Sequence, residues 1–115
     1  MAALLGGFAS AALADVGKGA DSFDENCAEC HSLANPPRNK KGPGLFGIFG
    51  RPAAQVAGFD YSEALKASGI TWSAATLDAY IKHPKGFVPG GKMKFDGLED
   101  AKERADLIEF LQSKK

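Results

Sequence analysis

What this 115-residue chain lacks narrows it quickly. Lys and Arg number 14 and Asp and Glu number 14, so the formal net charge is zero. No pull towards nucleic acid or an anionic membrane follows from that balance. No stretch approaches the roughly 20 apolar residues that a membrane-spanning helix needs. There are only two cysteines and two histidines. His83 stands alone, so the pair Cys27 and Cys30 cannot be completed to a four-coordinate structural zinc. No segment alternates with the period of a strand, which removes the βαβ context of a thioredoxin-like dithiol. Nor is there an internal repeat, a linker or a second domain, and the length suits one domain.

Against that background the run Cys27-Ala28-Glu29-Cys30-His31 stands out. Its Cys-x-x-Cys-His spacing is that of a c-type haem attachment site. Wound as a helix, the three residues fall at i, i+3 and i+4 and share one face. Two thiols can then add to the two vinyl groups of one porphyrin, and the adjoining imidazole can meet the iron. A structural disulfide is the plainer use of the same cysteines. The rest of the chain favours the cofactor. Ser32 to Phe59 carries Pro36, Pro37, Gly42, Pro43, Gly44, Gly47, Gly50, Pro52 and Gly58. So long a structureless loop is foreign to a compact domain unless it folds over something that is not protein. A buried porphyrin would supply apolar surface that the few aliphatic residues do not.

The expected fold is all-α, with short helices and long loops wrapped around one covalently bound haem. Helices are expected over Asp15 to Cys30, with Gly19, Ala20, Phe23, Cys27 and Cys30 along one side, and over Ser73 to Lys82, stopped by His83-Pro84. Asp60-Tyr61-Ser62-Glu63 has a capping-box pattern and opens a short helix that Gly69 ends. Glu99 to Ser113 is the clearest helix, with a stripe of Ala101, Ala105, Ile108 and Leu111 and with Leu107 and Phe110 beside it. Residues 1–14 are uncharged, rich in Ala, Leu and Gly, and end Ala12-Leu13-Ala14 before Asp15. That small-x-small ending reads as a secretory signal, short or truncated and without a leading Lys or Arg, or else as an uncleaved apolar tail. Export to the periplasm suits haem attachment, and residues 15–115 are then the single domain.

The iron's second axial ligand sets the chemistry. Apart from Met1, Met93 is the only methionine, in the Pro/Gly-rich run Pro89-Gly90-Gly91-Lys92-Met93. Its ordinary fate would be to fill a core gap; beside a haem it is the candidate ligand. His83 is the other imidazole, expected to be solvated before Pro84. Thioether ligation raises the reduction potential relative to bis-histidine. A six-coordinate iron leaves no open site, which points to electron transfer and away from an enzyme.

With these residues in place, the chain resembles the class I c-type cytochromes, in the cytochrome c2 and mitochondrial cytochrome c branch. The resemblance runs from about Gly19 to Leu111 and rests on the haem motif together with Gly42-Pro43, Leu45-Phe46-Gly47-Ile48-Phe49-Gly50-Arg51, Gly69-Ile70-Thr71-Trp72, Pro89 to Phe95 and Glu103 to Ile108. It implies one haem c bound through Cys27 and Cys30, with His31 and Met93 on the iron. It implies that the Pro43 carbonyl accepts the proximal imidazole's other N–H. It sets Arg51, Tyr61 and Trp72 around the inner propionate, where a plain surface cation and core packing are their rival uses. It brings Tyr80 near the methionine sulfur, Phe95 over the haem edge, and Gly19 and Phe23 against Leu107 and Phe110. Three positions depart from the pattern. Gly91 replaces a threonine that bonds a propionate, Leu65 a common asparagine near a buried water, and Asn26 a lysine at the exposed haem edge.

Charge is unevenly placed. Lys82, Lys85, Lys92 and Lys94 fall in one stretch without an acid, whereas the ends of the chain are acidic. Merely solvated lysines are one reading; a basic face that steers the haem edge onto acidic redox partners is the other. Those partners would be a bc1-type donor and an oxidase or photosynthetic reaction centre, served by a monomer. Two further readings remain at this stage. One is a haem enzyme or gas-binding protein with a displaceable sixth ligand, and the other a dedicated electron acceptor of a periplasmic dehydrogenase.

Overall fold

A computed structural model describes residues 13–115. The expected leader therefore lies outside the described residues, except for Leu13 and Ala14. Five helices follow in order: α1 Val16–Asn26, α2 Glu63–Ala67, α3 Ala74–Lys82, α4 Pro84–Phe87 and α5 Ala101–Gln112. Among the described residues the nearest thing to a sheet is one isolated antiparallel bridge, Pro52 with Thr71. The architecture is all-α. None of these helices is long and apolar enough to cross a membrane.

Caps explain most of the helix starts. Asp15, Ser62, Ser73 and Asp100 each accept a hydrogen bond from the backbone N–H three residues on. Ser73 and Thr76 form a reciprocal capping box at α3. One expectation needs correction here. The cap of α2 is Ser62 and not Asp60, because Asp60 turns outwards to Lys92. Pro84 does stop α3, but it also opens the single turn α4, its fixed φ suiting the first helical position. Gly69 follows the last turn of α2 at φ 70°, the left-handed position that ends a helix.

The seam between α1 and α5 is the densest part of the core. Phe23 and Phe110 meet with ring centroids 5.8 Å apart, and Leu107 is wholly inaccessible. The backbones approach so closely that a Cβ on Gly19 would overlap the Asp106 carbonyl. Polar bonds run along the same seam: the Asp15 N–H donates to Asp106 at 2.8 Å, and the Ser22 hydroxyl to Glu103 at 2.9 Å. The stripe expected on α5 is displaced. Ala101 and Ala105 are exposed, while Arg104, Leu107, Ile108, Phe110 and Leu111 are buried. The helix packs on both α1 and α3, so its inner face is wide and turned away from the alanines.

Candidate functional site

The helix expected to reach Cys30 stops at Asn26, and Cys27 to Cys30 form a turn. The winding continues without regular helix. The N–H groups of Cys30 and His31 both donate to the Cys27 carbonyl, at 3.0 and 2.9 Å. Local backbone bonds thus begin to gather the side chains of the motif. Both cysteines are free thiols and half-buried. Burial, with Cys30 beside it, pushes the Cys27 thiol up to about 11.

His31 is set by the loop that follows it. Its Nδ1 lies 2.8 Å from the Pro43 carbonyl. A carbonyl can only accept, so the proton sits on Nδ1 and the lone pair of Nε2 is left free. Burial lowers the proton affinity of the imidazole, the Pro43 bond partly restores it, and nearby Lys40 lowers it again. Gly42 is shaped to the ring: any Cβ there would overlap the imidazole. The loop's bonds hold that arrangement. The Gly42 N–H donates to the Cys30 carbonyl at 2.7 Å, and the Gly44 N–H to Asn39 Oδ1 at 3.1 Å. Asn39 donates in turn to the Ala57 carbonyl at 3.1 Å, joining two parts of the long loop.

The structure brings Tyr80 and Met93 together. The phenol donates to the Met93 sulfur at 3.9 Å, within the longer reach of sulfur, and both residues are half-buried. Tyr80 also packs on Trp72, centroids 5.2 Å apart, and burial raises its phenol's affinity for its proton. Phe95 is half-buried against the core. His83 is exposed at the end of α3.

Arg51, Tyr61 and Trp72 form a neighbouring group. Arg51 donates to the carbonyls of Gly44 and Phe46, at 2.9 and 3.1 Å. Its backbone carbonyl accepts from the Trp72 N–H at 3.0 Å. The Tyr61 hydroxyl accepts from the Val56 N–H at 3.0 Å. Burial makes the guanidinium easier to deprotonate and the phenol harder; the Tyr61 charge opposes the first shift, and the Val56 bond and the Arg51 charge oppose the second. Gly44 is therefore held on both sides, its N–H by Asn39 and its carbonyl by Arg51.

Among the docking lysines, Lys82, Lys85 and Lys94 are exposed and have no ion pair among the described residues. Lys92 differs. It meets Asp60 at 3.0 Å from the carboxylate and 3.2 Å from the carbonyl, which tethers the Met93 loop to the residue before Tyr61. It is exposed but not an idle cation. Sequence reasoning also gave no role to Asn39, whose signal was the turn-forming habit of asparagine, or to Asp78 and Arg104, whose pairing across 26 residues leaves no local signal.

The donor set fits a haem c: two free thiols, an imidazole with its tautomer fixed by Pro43, a glycine trimmed to that ring, and an oriented thioether. The comparisons with known proteins agree. The model of the cytochrome c family matches residues 16–115. Cytochrome c of Stellaria longipes is 50% identical over 98 residues, covering 85% of this chain and 91% of the relative. Cytochrome c of Chlamydomonas reinhardtii is 44% identical over 105 residues, covering 91% of this chain and 94% of the relative. Of solved structures, cytochrome cH from Methylobacterium extorquens superposes with a TM-score of 0.81 at 39% identity, covering 87% of this chain and 99% of that one.

Proposed function

The chain belongs to the cytochrome c family and, with one covalently attached haem c, is an electron carrier; from that premise we propose that His31 and Met93 hold the iron and that no catalytic position is left open. The observation that carries this reading is the Tyr80 hydroxyl on the Met93 sulfur, which orients the thioether within the core. Bound haem c supplies an iron that changes its charge by one electron. The chain's own residues keep the surroundings constant while it does so. His31 keeps its Nδ1 proton on the Pro43 carbonyl, which raises the basicity of Nε2. Asn39 holds the peptide that contains that carbonyl, through the Gly44 N–H, and Arg51 holds the next one, through the Gly44 carbonyl. Cys27 and Cys30 provide the two thioether links. Arg51, Tyr61 and Trp72 serve the inner propionate, and Phe95 shields the edge.

Docking runs through Lys82, Lys85 and Lys94, with Lys92 weakened as a contact by Asp60. The partners have acidic surfaces: a bc1-type donor and an oxidase or reaction centre. Association driven by such charges is salt-sensitive, since screening acts over about 10 Å at 0.1 M. The protein is an exported periplasmic monomer, cleaved after Ala14. The exposure of Leu13 and the start of α1 beyond Asp15 support that junction. Mass spectrometry of the exported protein should then give Asp15 as the first residue.

The decisive test is the visible spectrum, oxidised and reduced, after acid–acetone extraction. Haem that stays with the protein, with a methionine sulfur-to-iron charge-transfer band in the oxidised form, is expected. Bound haem without that band removes Met93 as ligand and leaves an open-site enzyme, a gas binder or a bis-histidine carrier. Loss of the haem sinks the whole reading.

A further inference from the structure

Arg104 is a cation placed in the core, 6% exposed. Its Nε donates to Asp78 Oδ1 on α3 at 2.7 Å. Its Nη1 donates to the carbonyls of Leu98 and Glu99, at 2.8 Å each. Those two residues are the exit of the loop that carries Met93. The same exit is fastened a second time, because the Leu98 N–H donates to the Ile81 carbonyl at 2.9 Å. Gly97 makes that approach possible: its φ is 119°, and a Cβ there would overlap the Lys82 carbonyl. One guanidinium thus ties α5, α3 and the end of the Met93 loop together. Asp78 is its one anionic partner among the described residues. A buried cation stripped of its partner carries a large desolvation cost and tends to move towards water. The loop exit would move with it.

We propose that Asp78 is a positioning residue for the Met93 loop: it fixes the Arg104 guanidinium, which holds the Leu98 and Glu99 carbonyls and through them the thioether. The inference rests on Met93 as the iron ligand. Asp78 stands two residues before Tyr80, so the helix that contacts the Met93 sulfur also carries the anion that anchors the loop. The exposed tether from Lys92 to Asp60 restrains the loop on the N-terminal side of Met93, and the latch, with Arg104 buried and Asp78 half-exposed, restrains it on the C-terminal side. The latch is the stronger restraint, because its guanidinium is buried and also holds two backbone carbonyls, whereas both ends of the tether face solvent.

The test uses the oxidised holoprotein at neutral pH, with imidazole as a competing ligand and the charge-transfer band as the readout. Asp78→Ala should bind imidazole about tenfold more tightly than wild type, the loss of one charge-assisted bond to the loop latch. Asp78→Glu should restore most of the wild-type affinity. Glu63→Ala, which removes only the surface pair with Lys66, should leave it unchanged. If Asp78→Ala does not accumulate with haem, Asp78→Asn decides, with about a threefold gain expected. A lowered unfolding midpoint with imidazole affinity within about twofold of wild type overturns the proposal, since a merely structural role would give that pair of results. Absence of the band in wild type would instead remove the Met93 reading, and this inference with it.

Discussion

The seam of α1 and α5 and the loop from Ser32 to Phe59 are held by different physics. In the seam, Phe23, Leu107, Phe110 and Leu111 are buried, so protein packs on protein at interior density. In the loop, Ile48 is the one apolar side chain that is buried. The loop is ordered by backbone bonds, such as Leu45 N–H to Ser32 carbonyl at 2.9 Å, and by the side chains of Asn39 and Arg51. Such bonds fix a shape but contribute little net stability, because water offers the same bonds to the open chain. The seam rests on protein packed against protein; the loop depends on what it encloses.

Removing the haem should separate the two most sharply. The apoprotein should lose hydrogen-exchange protection at Leu45, Ile48, Arg51 and Ala53, while any protection that survives should lie in α1 and α5. Equal loss in both regions would erase the distinction. Next in size is Leu107→Ala, which should cost about 4 kcal/mol in denaturant unfolding because the site is fully packed. Gly19→Ala attacks the same seam by overpacking and should cost about 3 kcal/mol, with the haem spectrum unchanged in whatever folds. Gly42→Ala is its counterpart in the loop. It should cost only about 1–2 kcal/mol in stability yet shift the haem spectrum and potential, since its methyl meets the His31 ring. An unchanged potential there would count against the loop as the holder of His31.

The smallest effect is acid sensitivity at the seam. Lys102, chiefly through its hydrogen bond, holds the Asp106 carboxyl below the ordinary 3.8, against the opposing effect of burial. A group depressed in the folded state stabilises above its unfolded value, and that contribution is lost as pH falls through the folded value. Wild type should therefore lose about 1 kcal/mol more than Asp106→Asn between pH 5 and pH 2, by denaturant midpoint at each pH.

Much of this was legible from single residues. Ser73 and the Gly69 stop announce their helices because capping is local chemistry, and the haem motif is legible because its spacing is its geometry. The positions that misled did so for tertiary reasons. Ala101 and Ala105 lie on a plausible stripe, but α5 serves two neighbours, and Arg104 enters the core in their place. Periodicity cannot foresee a buried cation whose anion lies 26 residues away. Pro84 stops α3 as its pattern says, and the same fixed φ then begins α4. Lys92 counts as a free charge until the fold sets Asp60 against it.

The bond from the Asp15 N–H to Asp106 spans 91 residues, so the seam closes the chain end to end. Nothing in it can form while the last helix is still being synthesised. A chain emerging N-terminus first presents Cys27 to His31 early and must wait for Leu107 and Phe110 before α1 has a partner. Contacts of such sequence separation are the slow ones in folding. During that interval the thiols stand on an open chain, accessible to whatever attaches the porphyrin. The attachment motif thus precedes along the chain every residue of the last helix that packs against α1.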